Sequence, residues 1–437
     1  MQNFQLSLFY NFEALIFKSN FYQKYLLIFS SLNLKHFPDK NYNVGCTGYS
    51  RRAFLKAFII KHQEEIKSIP RLIEFLDAHP ILTEMCGFKM GKLPDESQFY
   101  RFLKTTKTSL IENIQTLVNQ DLIKKKILSL NTFILDSKPI MAATRENNFK
   151  NPKRNTKDKF KIPKRNPNAT LSYYSYQTTA GKKNNFIFFW GYRTHVIVSK
   201  QGIPLVQKTL PNNVTDEKAA IKLIRKLKRI YGFKKDALFI ADAAYDVREF
   251  YNFIVNTMKG KPFIPINPRN KQPDKIFGDH GCPLCEANLE MKSQGSWTEG
   301  IRTRLKFRCP LKVNPKVAEK YPNGCPVNHP KFIAKSNYGC TKYLDITDDP
   351  RSRVPRDSQT YKNTCKLRQT VEQYFARLGN REAEQTTHYK LRYVQNQMAI
   401  AHLTMSLVAH AAAILMNQPD KIRCHRTFAQ NHLKKAA

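Results

Sequence analysis

Apolar residues recur three and four positions apart through the first 125 residues, and after about residue 130 they gather into short unbroken runs. In RRAFLKAFIIKH, Phe54, Leu55, Phe58 and Ile59 fall at helical spacing with basic residues between them. IPRLIEFLDAH and PILTEMCGF follow, divided at His79-Pro80, and then LPDESQFYRFLKTTK. This pattern predicts several short helices joined by tight turns. Such a unit suits either DNA reading or simple shielding of a catalytic sheet.

Beyond residue 130 the pattern predicts strands. NTFIL ends at Asp136, and FIFFWGYRTHVIVS with GIPLVQKTL predicts a hairpin turning at Lys200-Gln201-Gly202. An amphipathic helix comes next. Thr215 suits its N-cap, Asp216 and Glu217 suit its positive end, and Ala220, Leu223, Ile224, Leu227 and Ile230 form its apolar stripe. Gly232 can stop it in a left-handed conformation. ALFIA then reads as a buried strand ending at Asp242. Strand, hairpin, helix, strand, with an acid closing the first and last, is the layout of an RNase-H-like core. The expected fold class is therefore α/β, a mixed sheet flanked by helices. The expected domains are an all-α unit over 1–125, a catalytic domain over 126–420 broken by a Cys-rich insertion at 272–345, and a basic tail at 421–437. VQNQMAIAHLTMSLVAHAAAILMN is apolar on nearly every face and predicts a buried helix. Its Gln, His and Ser interruptions argue against a membrane span, and no uninterrupted apolar run approaches the roughly 20 residues one needs. The first 31 residues are aromatic and aliphatic but broken by Glu13, Lys18 and Lys24, so they read as a helix packed on the core.

Charge narrows the function. Lys and Arg total 73 against 34 Asp and Glu, a net +39 over 437 residues. A compact globule so charged repels itself unless it meets a polyanion, and nucleic acid is the leading partner because Lys and Arg displace counterions from phosphates. A generically basic or ribosome-associated protein is the plainer alternative. FKNPKRNTKDKFKIPKRNPN carries eight Lys or Arg between Lys150 and Arg165 against Asp158 alone. It lacks apolar periodicity and reads as an exposed loop, with Lys153, Arg154, Lys164 and Arg165 as candidate phosphate contacts.

The chemistry rests on three carboxylates: Asp136, Asp242 and Glu372, the last inside the helical pattern of KLRQTVEQYFARL. Together they would hold Mg²⁺, which prefers oxygen ligands and keeps several waters. Two such ions activate an attacking hydroxyl and stabilise the leaving oxygen of an in-line displacement. A turn-forming or capping role is the commoner fate of any single Asp at a strand end. Asp216 and Asp246 are assigned to it, Asp246 standing as backup second acid.

Nine cysteines suggest a reducing compartment and metal ligation rather than a disulfide framework. Cys282-Pro-Leu-Cys285 is a thiolate knuckle of the type that grips Zn²⁺, and Cys309, Cys325, His329 and Cys340 follow. The favoured structural zinc set is Cys282, Cys285, Cys309 and Cys325, with His329 as substitute. Free, partly buried thiols are the alternative, and Cys46, Cys86, Cys365 and Cys424 read as ordinary buried thiols. Trp190 and Tyr192 suit core packing more than stacking on a DNA base, and His195 reads as a strand residue rather than a general base.

At these residues the chain resembles the DDE transposases of bacterial insertion sequences, in the IS-four-like superfamily, over most of its length. RRAFLKAFIIKH through CGF and SQFYRFLK resemble the N-terminal helical domain of many such enzymes. ILDSKPI looks like the first-Asp strand and FIADAAYD like the second. PRSRVPRDS followed by RQTVEQYFARLG is similar to the third-acid region, where an Arg precedes the Glu by four, as Arg368 precedes Glu372. The resemblance implies that Asp136, Asp242 and Glu372 are the DDE triad and that Arg368 faces DNA near the scissile phosphate. The basic residue expected two turns beyond the Glu is displaced, with Arg377 and Arg381 nearest. The family's Tyr before the Arg has no counterpart, Cys365 standing in its neighbourhood and Tyr361 further off. The implied reaction is Mg²⁺- or Mn²⁺-dependent cleavage of transposon ends to 3′-hydroxyls, which then join target DNA. The implied partner is double-stranded DNA, both terminal repeats and target, bound by a homo-oligomer in the bacterial cytoplasm at the nucleoid. A catalytically inactive or domesticated DNA-binding protein and a standalone Mg-dependent nuclease are the competing readings.

Overall fold

The computed structural model describes residues 16–39, 48–148, 162–177, 184–267, 277–299, 302–334, 337–345, 351, 354–379 and 384–423. The chain forms two compact units. One comprises Met1–Ser129, Ser137–Thr215 and Gln373–Ala437, the other Leu130–Asp136 and Asp216–Glu372.

Among the described residues the first unit opens with six helices, α1 (Asn20–Ser30), α2 (Arg51–Gln63), α3 (Ile69–Asp77), α4 (Pro80–Cys86), α5 (Glu96–Thr105) and α6 (Thr108–Lys124). Their boundaries follow capping chemistry. The Ser50 hydroxyl accepts the Ala53 N–H at α2 and Ser68 accepts that of Arg71 at α3, while Asp95 accepts that of Ser97 at α5. Pro80 opens α4 and Gly87, at φ +102°, closes it. The helical stripe of α2 buries Phe54 and Phe58 against Phe99 and Phe102 of α5, with Phe54 edge-on to Phe99 at 4.9 Å between ring centroids.

A long helix, α10 (Leu391–His410), runs through this core and continues into a π-helical turn, Ala411–Leu415. It is long and apolar enough to cross a membrane, but 89% of its most apolar window is buried inside the protein. Its polar interruptions are fastening points. Asn396 donates to the carbonyls of Leu103 (2.7 Å) and Thr106 (2.8 Å). His402 lies between Thr194 (3.1 Å) and the hydroxyl of Tyr374, and His410 between Ser31 and Asp121, each at 2.9 Å. Buried polar groups so paired cost little, and they set the helix in one register.

Strand β1 (Thr132–Met141) is shared by the two units. In the first unit its neighbour is β3 (Asn184–Ser199), which runs opposite to it: Ala142 N–H donates to Trp190 O at 3.0 Å and Arg193 reaches Ser137 at 3.3 Å. Gly191 permits this approach, since a Cβ there would stand 2.1 Å from the Ile140 carbonyl oxygen. The first half of β3 pairs antiparallel with β2 (Thr170–Gln177) and the second half with β4 (Pro204–Pro211). The predicted hairpin turn is present, with Gly202 at φ +76°.

In the second unit β1 pairs in parallel with β5 (Leu238–Ile240), and β5 in parallel with β6 (Lys261–Phe263). Helix α7 (Asp216–Tyr231) buries the predicted Ala220, Leu223, Ile224 and Leu227. The buried Arg356 donates to the carbonyls of Ile264 and Arg351, each at 2.9 Å, and to the Tyr251 hydroxyl at 2.6 Å. Within the cysteine segment an antiparallel sheet forms from β7 (Lys292–Glu299), β8 (Arg302–Arg308) and β9 (Thr341–Asp345). Helices α8 (Gln359–Cys365) and α9 (Gln369–Leu378) follow it. The whole is a mixed α/β fold whose mixed sheet is flanked by helices.

Candidate active site

Asp136 closes the buried run Phe133, Ile134, Leu135, and Asp242 follows the buried run Phe239, Ile240, Ala241. The parallel register pairs Thr132 with Leu238, Phe133 with Phe239 and Ile134 with Ile240. Two further steps bring Asp136 level with Asp242, whose backbone is still extended at φ −82°, ψ 178°. Level residues on neighbouring strands share a face of the sheet, about 4.8 Å apart. Both side chains are half-buried. Two carboxylates so placed repel one another unless a cation or a proton stands between them. Asp242 also caps the turn Ala243–Tyr245, accepting the Ala244 N–H at 3.0 Å, which directs the chain away from the strand end.

Asp246, the backup acid, is buried at 1% exposure and accepts the Asn267 N–H at 2.9 Å. Its carboxylate ties the segment beyond β6 to the loop beyond β5. Glu372 is exposed in the first turn of α9, with Arg368 Nη2 at 3.3 Å from its Oε1. The Arg368 Nε is buried and has no hydrogen-bond partner among the described residues. Among the described residues no three His, Cys, Asp or Glu side chains meet as a metal site. Asp136 and Asp242 thus each follow a buried run on paired strands, and Glu372 stands on α9 beside Arg368.

The predicted DNA contacts divide. Lys164 is exposed, and Arg165 is exposed with its guanidinium over Tyr389 at 5.6 Å. Lys153 and Arg154 lie outside the described residues, as do Arg381, Cys46, Cys424 and the basic tail from residue 424. Arg377 departs from expectation: it donates to the carbonyls of Gln373 (3.3 Å), Arg423 (3.1 Å) and Gly202 (3.4 Å). These three internal acceptors hold its guanidinium in place. Trp190, Tyr192 and His195 are buried along β3, with the Tyr192 hydroxyl on Asn166 at 3.0 Å.

The thiols regroup relative to expectation. Cys285, Cys309, Cys325 and Cys340, with His329, line one cavity of about 10 Å³. Three of them open tight turns: the N–H groups of Asn288, Lys312 and Asn328 return to the carbonyls of Cys285, Cys309 and Cys325 at 3.0–3.2 Å. Gly339, at φ +61°, delivers Cys340, whose thiol is hydrogen-bonded with that of Cys309. Burial, then Cys309 and Cys285, pushes the Cys340 thiol up to about 12. Cys282 packs with Cys285, Met291 and Phe307; burial raises its thiol, and Asp357 and Glu290 push the same way. Of the expected set, Cys285, Cys309 and Cys325 line this cavity together with Cys340.

Comparison with known proteins bears on this geometry. A family model described as "Transposase DDE domain" matches residues 129–407, and a "Transposase domain (DUF772)" model matches residues 11–105. No curated protein matches the chain. Among solved structures, a piggyBac transposase synaptic complex with hairpin DNA aligns at 8% identity and TM-score 0.38, over 96% of this chain and 81% of that one. A Mos1 transposase paired-end complex with left transposon end aligns at 12% identity and TM-score 0.17, over 51% and 61%.

Proposed function

We propose that this chain, which belongs to the DDE transposase family and is therefore an enzyme that cuts and transfers DNA, does its chemistry at Asp136 and Asp242 with Glu372 as third acid. The observation that supports the assignment is the parallel register of β1 and β5, which, continued two residues past Ile134–Ile240, would bring Asp136 level with Asp242. An RNase-H-like core is the reading favoured by β1, with an antiparallel neighbour, β3, on one side and the parallel β5 and β6 on the other.

The donor set fits Mg²⁺ or Mn²⁺: half-exposed carboxylates with room for waters, the arrangement Mg²⁺ adopts when substrate phosphate completes its shell. When bound, such ions activate the attacking water or 3′-hydroxyl and stabilise the leaving oxygen. Asp136 and Asp242 would hold the metal from neighbouring strand ends, and Glu372 would join them from α9. Arg368 orients Glu372 and offers its remaining N–H to a phosphate oxygen. The exposed Lys164 and Arg165 hold the duplex. Cleavage leaves 3′-hydroxyls that attack target DNA at the same site. Membership of the IS-four-like branch, assembly into a homo-oligomer on paired ends, and action at the nucleoid in the bacterial cytoplasm belong to this proposal.

The cysteine segment is proposed to hold a structural Zn²⁺ through Cys285, Cys309, Cys325 and Cys340. Thiols opening tight turns around a small cavity suit that ion, and a segment with few apolar residues gains its fold from it. Asp136→Asn assayed on duplexes carrying the element's own ends is the decisive test. Loss of metal-dependent cleavage with retained DNA binding supports the assignment, and normal cleavage overturns it.

A further inference from the structure

The sheet β7–β8–β9 has two faces of opposite character. On β8, Leu305 and Phe307 alternate with Arg304, Lys306 and Arg308. Phe307 packs with Cys282, Cys285 and Met291, and Leu305 and Leu344 lie against them, so this side is the small core of the segment. The register puts Trp297 opposite Arg304, and Tyr343 opposite Lys306. These residues therefore share the other side.

That side exposes large aromatic rings. Trp297 is 42% exposed, Tyr343 45% and Tyr338, just before β9, 50%. The Trp297 and Tyr343 rings, from the two outer strands, meet at 5.4 Å with an interplanar angle of 67°. Arg308 lies over the Tyr338 ring at 4.0 Å and Lys306 at 5.7 Å. Rings and cations thus alternate along the sheet. By strand position, Arg304, Lys306 and Arg308 follow one another along this side. Exposed aromatic rings gathered beside a row of cations mark a surface suited to a partner.

We propose that this face is a platform for single-stranded DNA. Aromatic faces stack on unpaired bases without regard to sequence, and an adjoining row of Arg and Lys follows the backbone phosphates. Paired bases in duplex DNA keep their faces covered, so the rings distinguish single strands from duplex while the cations alone do not. The inference rests on the transposase reading for the nature of the polyanion only; the surface itself stands on the sheet's geometry.

Trp297 provides the test. The chain has two tryptophans, and Trp190 is buried, so the difference in emission between the intact protein and Trp297→Phe reports this face. Titration of the full chain with a mixed-sequence single-stranded oligonucleotide is expected to quench that difference, and an equal concentration of duplex to quench it far less. Trp297→Ala with Tyr343→Ala should weaken single-strand binding roughly ten-fold or more. Arg304→Ala with Lys306→Ala should lower the slope of log affinity against log salt by about 1.4, two phosphate contacts' worth. Unchanged Trp297 emission while anisotropy shows the oligonucleotide bound overturns the platform, as does equal quenching by duplex. Metal-dependent cleavage is scored separately. Its loss in the intact protein would count against the transposase chemistry, whereas a silent Trp297 in an active enzyme counts against the platform alone.

Discussion

Ile134 and Ile240 are the last paired residues of the parallel strands β1 and β5, and an acid stands two residues beyond each of them, Asp136 and Asp242.

Exchanging either acid for its amide keeps the shape and removes a metal-binding charge. Asp136→Asn and Asp242→Asn should each lower metal-dependent cleavage by more than about a hundredfold, since several kcal/mol of charge stabilisation go with the metal. Glu372→Gln should do the same. Asp246→Asn serves as the contrast: it should lower the melting temperature, because Asp246 is buried on the Asn267 N–H, yet leave metal-dependent cleavage in place at low temperature. Cleavage rates on end-containing duplexes and thermal melts separate the two behaviours.

The thiols allow a similar contrast. On the proposed zinc site, the intact protein should carry one zinc per chain after dialysis, Cys340→Ser should lose it and Cys282→Ser should keep it. Retention by Cys340→Ser together with loss in Cys282→Ser would restore the set expected from spacing.

Arg377→Ala removes a donor to three carbonyls. It should cost stability, on the order of 1–3 kcal/mol from acceptors left unsatisfied, without changing the salt dependence of DNA binding. A lowered salt slope with unchanged melting would return Arg377 to the DNA surface.

Acid should unfold the first unit through its buried histidines. Burial holds His402 at about 3, against an ordinary 6.5, between Thr194 and Tyr374. Burial, and then Lys61, holds His388 at about 3. Between pH 6.5 and 3 the unfolded chain binds protons at these sites and the folded one does not. Stability therefore falls as pH drops through that window, and levels off with respect to these groups above 6.5. His402→Gln should reduce the slope of unfolding free energy against pH by about one proton in that range. An unchanged slope in denaturant titrations at stepped pH would remove His402 from this account.

Local chemistry made much of this legible from sequence. The apolar runs ending at Asp136 and Asp242, the stripe of α7 and the turn at Gly202 each depend on neighbours within a few residues, so pattern alone revealed them. The grouping of Cys340 with Cys285 and Cys309 was not legible, because the three come from separate turns. The Arg377 acceptors were hidden for the same reason, since Gly202 and Arg423 are distant along the chain. Strand β2 was overlooked behind the basic loop, although Leu171 and Tyr173 alternate with polar residues as a strand requires. The exposed Trp297–Tyr343 pair was equally hidden, because cross-strand neighbours are set by register rather than by spacing.

The helical unit is built from three stretches of chain, and α10, which fills its middle, is the last of its long helices to be made. On a ribosome, α1 to α6 would emerge with Phe54, Phe58 and Phe99 already clustered but with the α10 groove open. The full domain closes only after some 270 further residues have been made, counting from Lys124 to Leu391. Contacts of such separation are slow to form and leave apolar surface uncovered meanwhile. Synthesis of this protein therefore has a vulnerable interval, during which dependence on a chaperone would be greatest, and the arrival of α10 ends it.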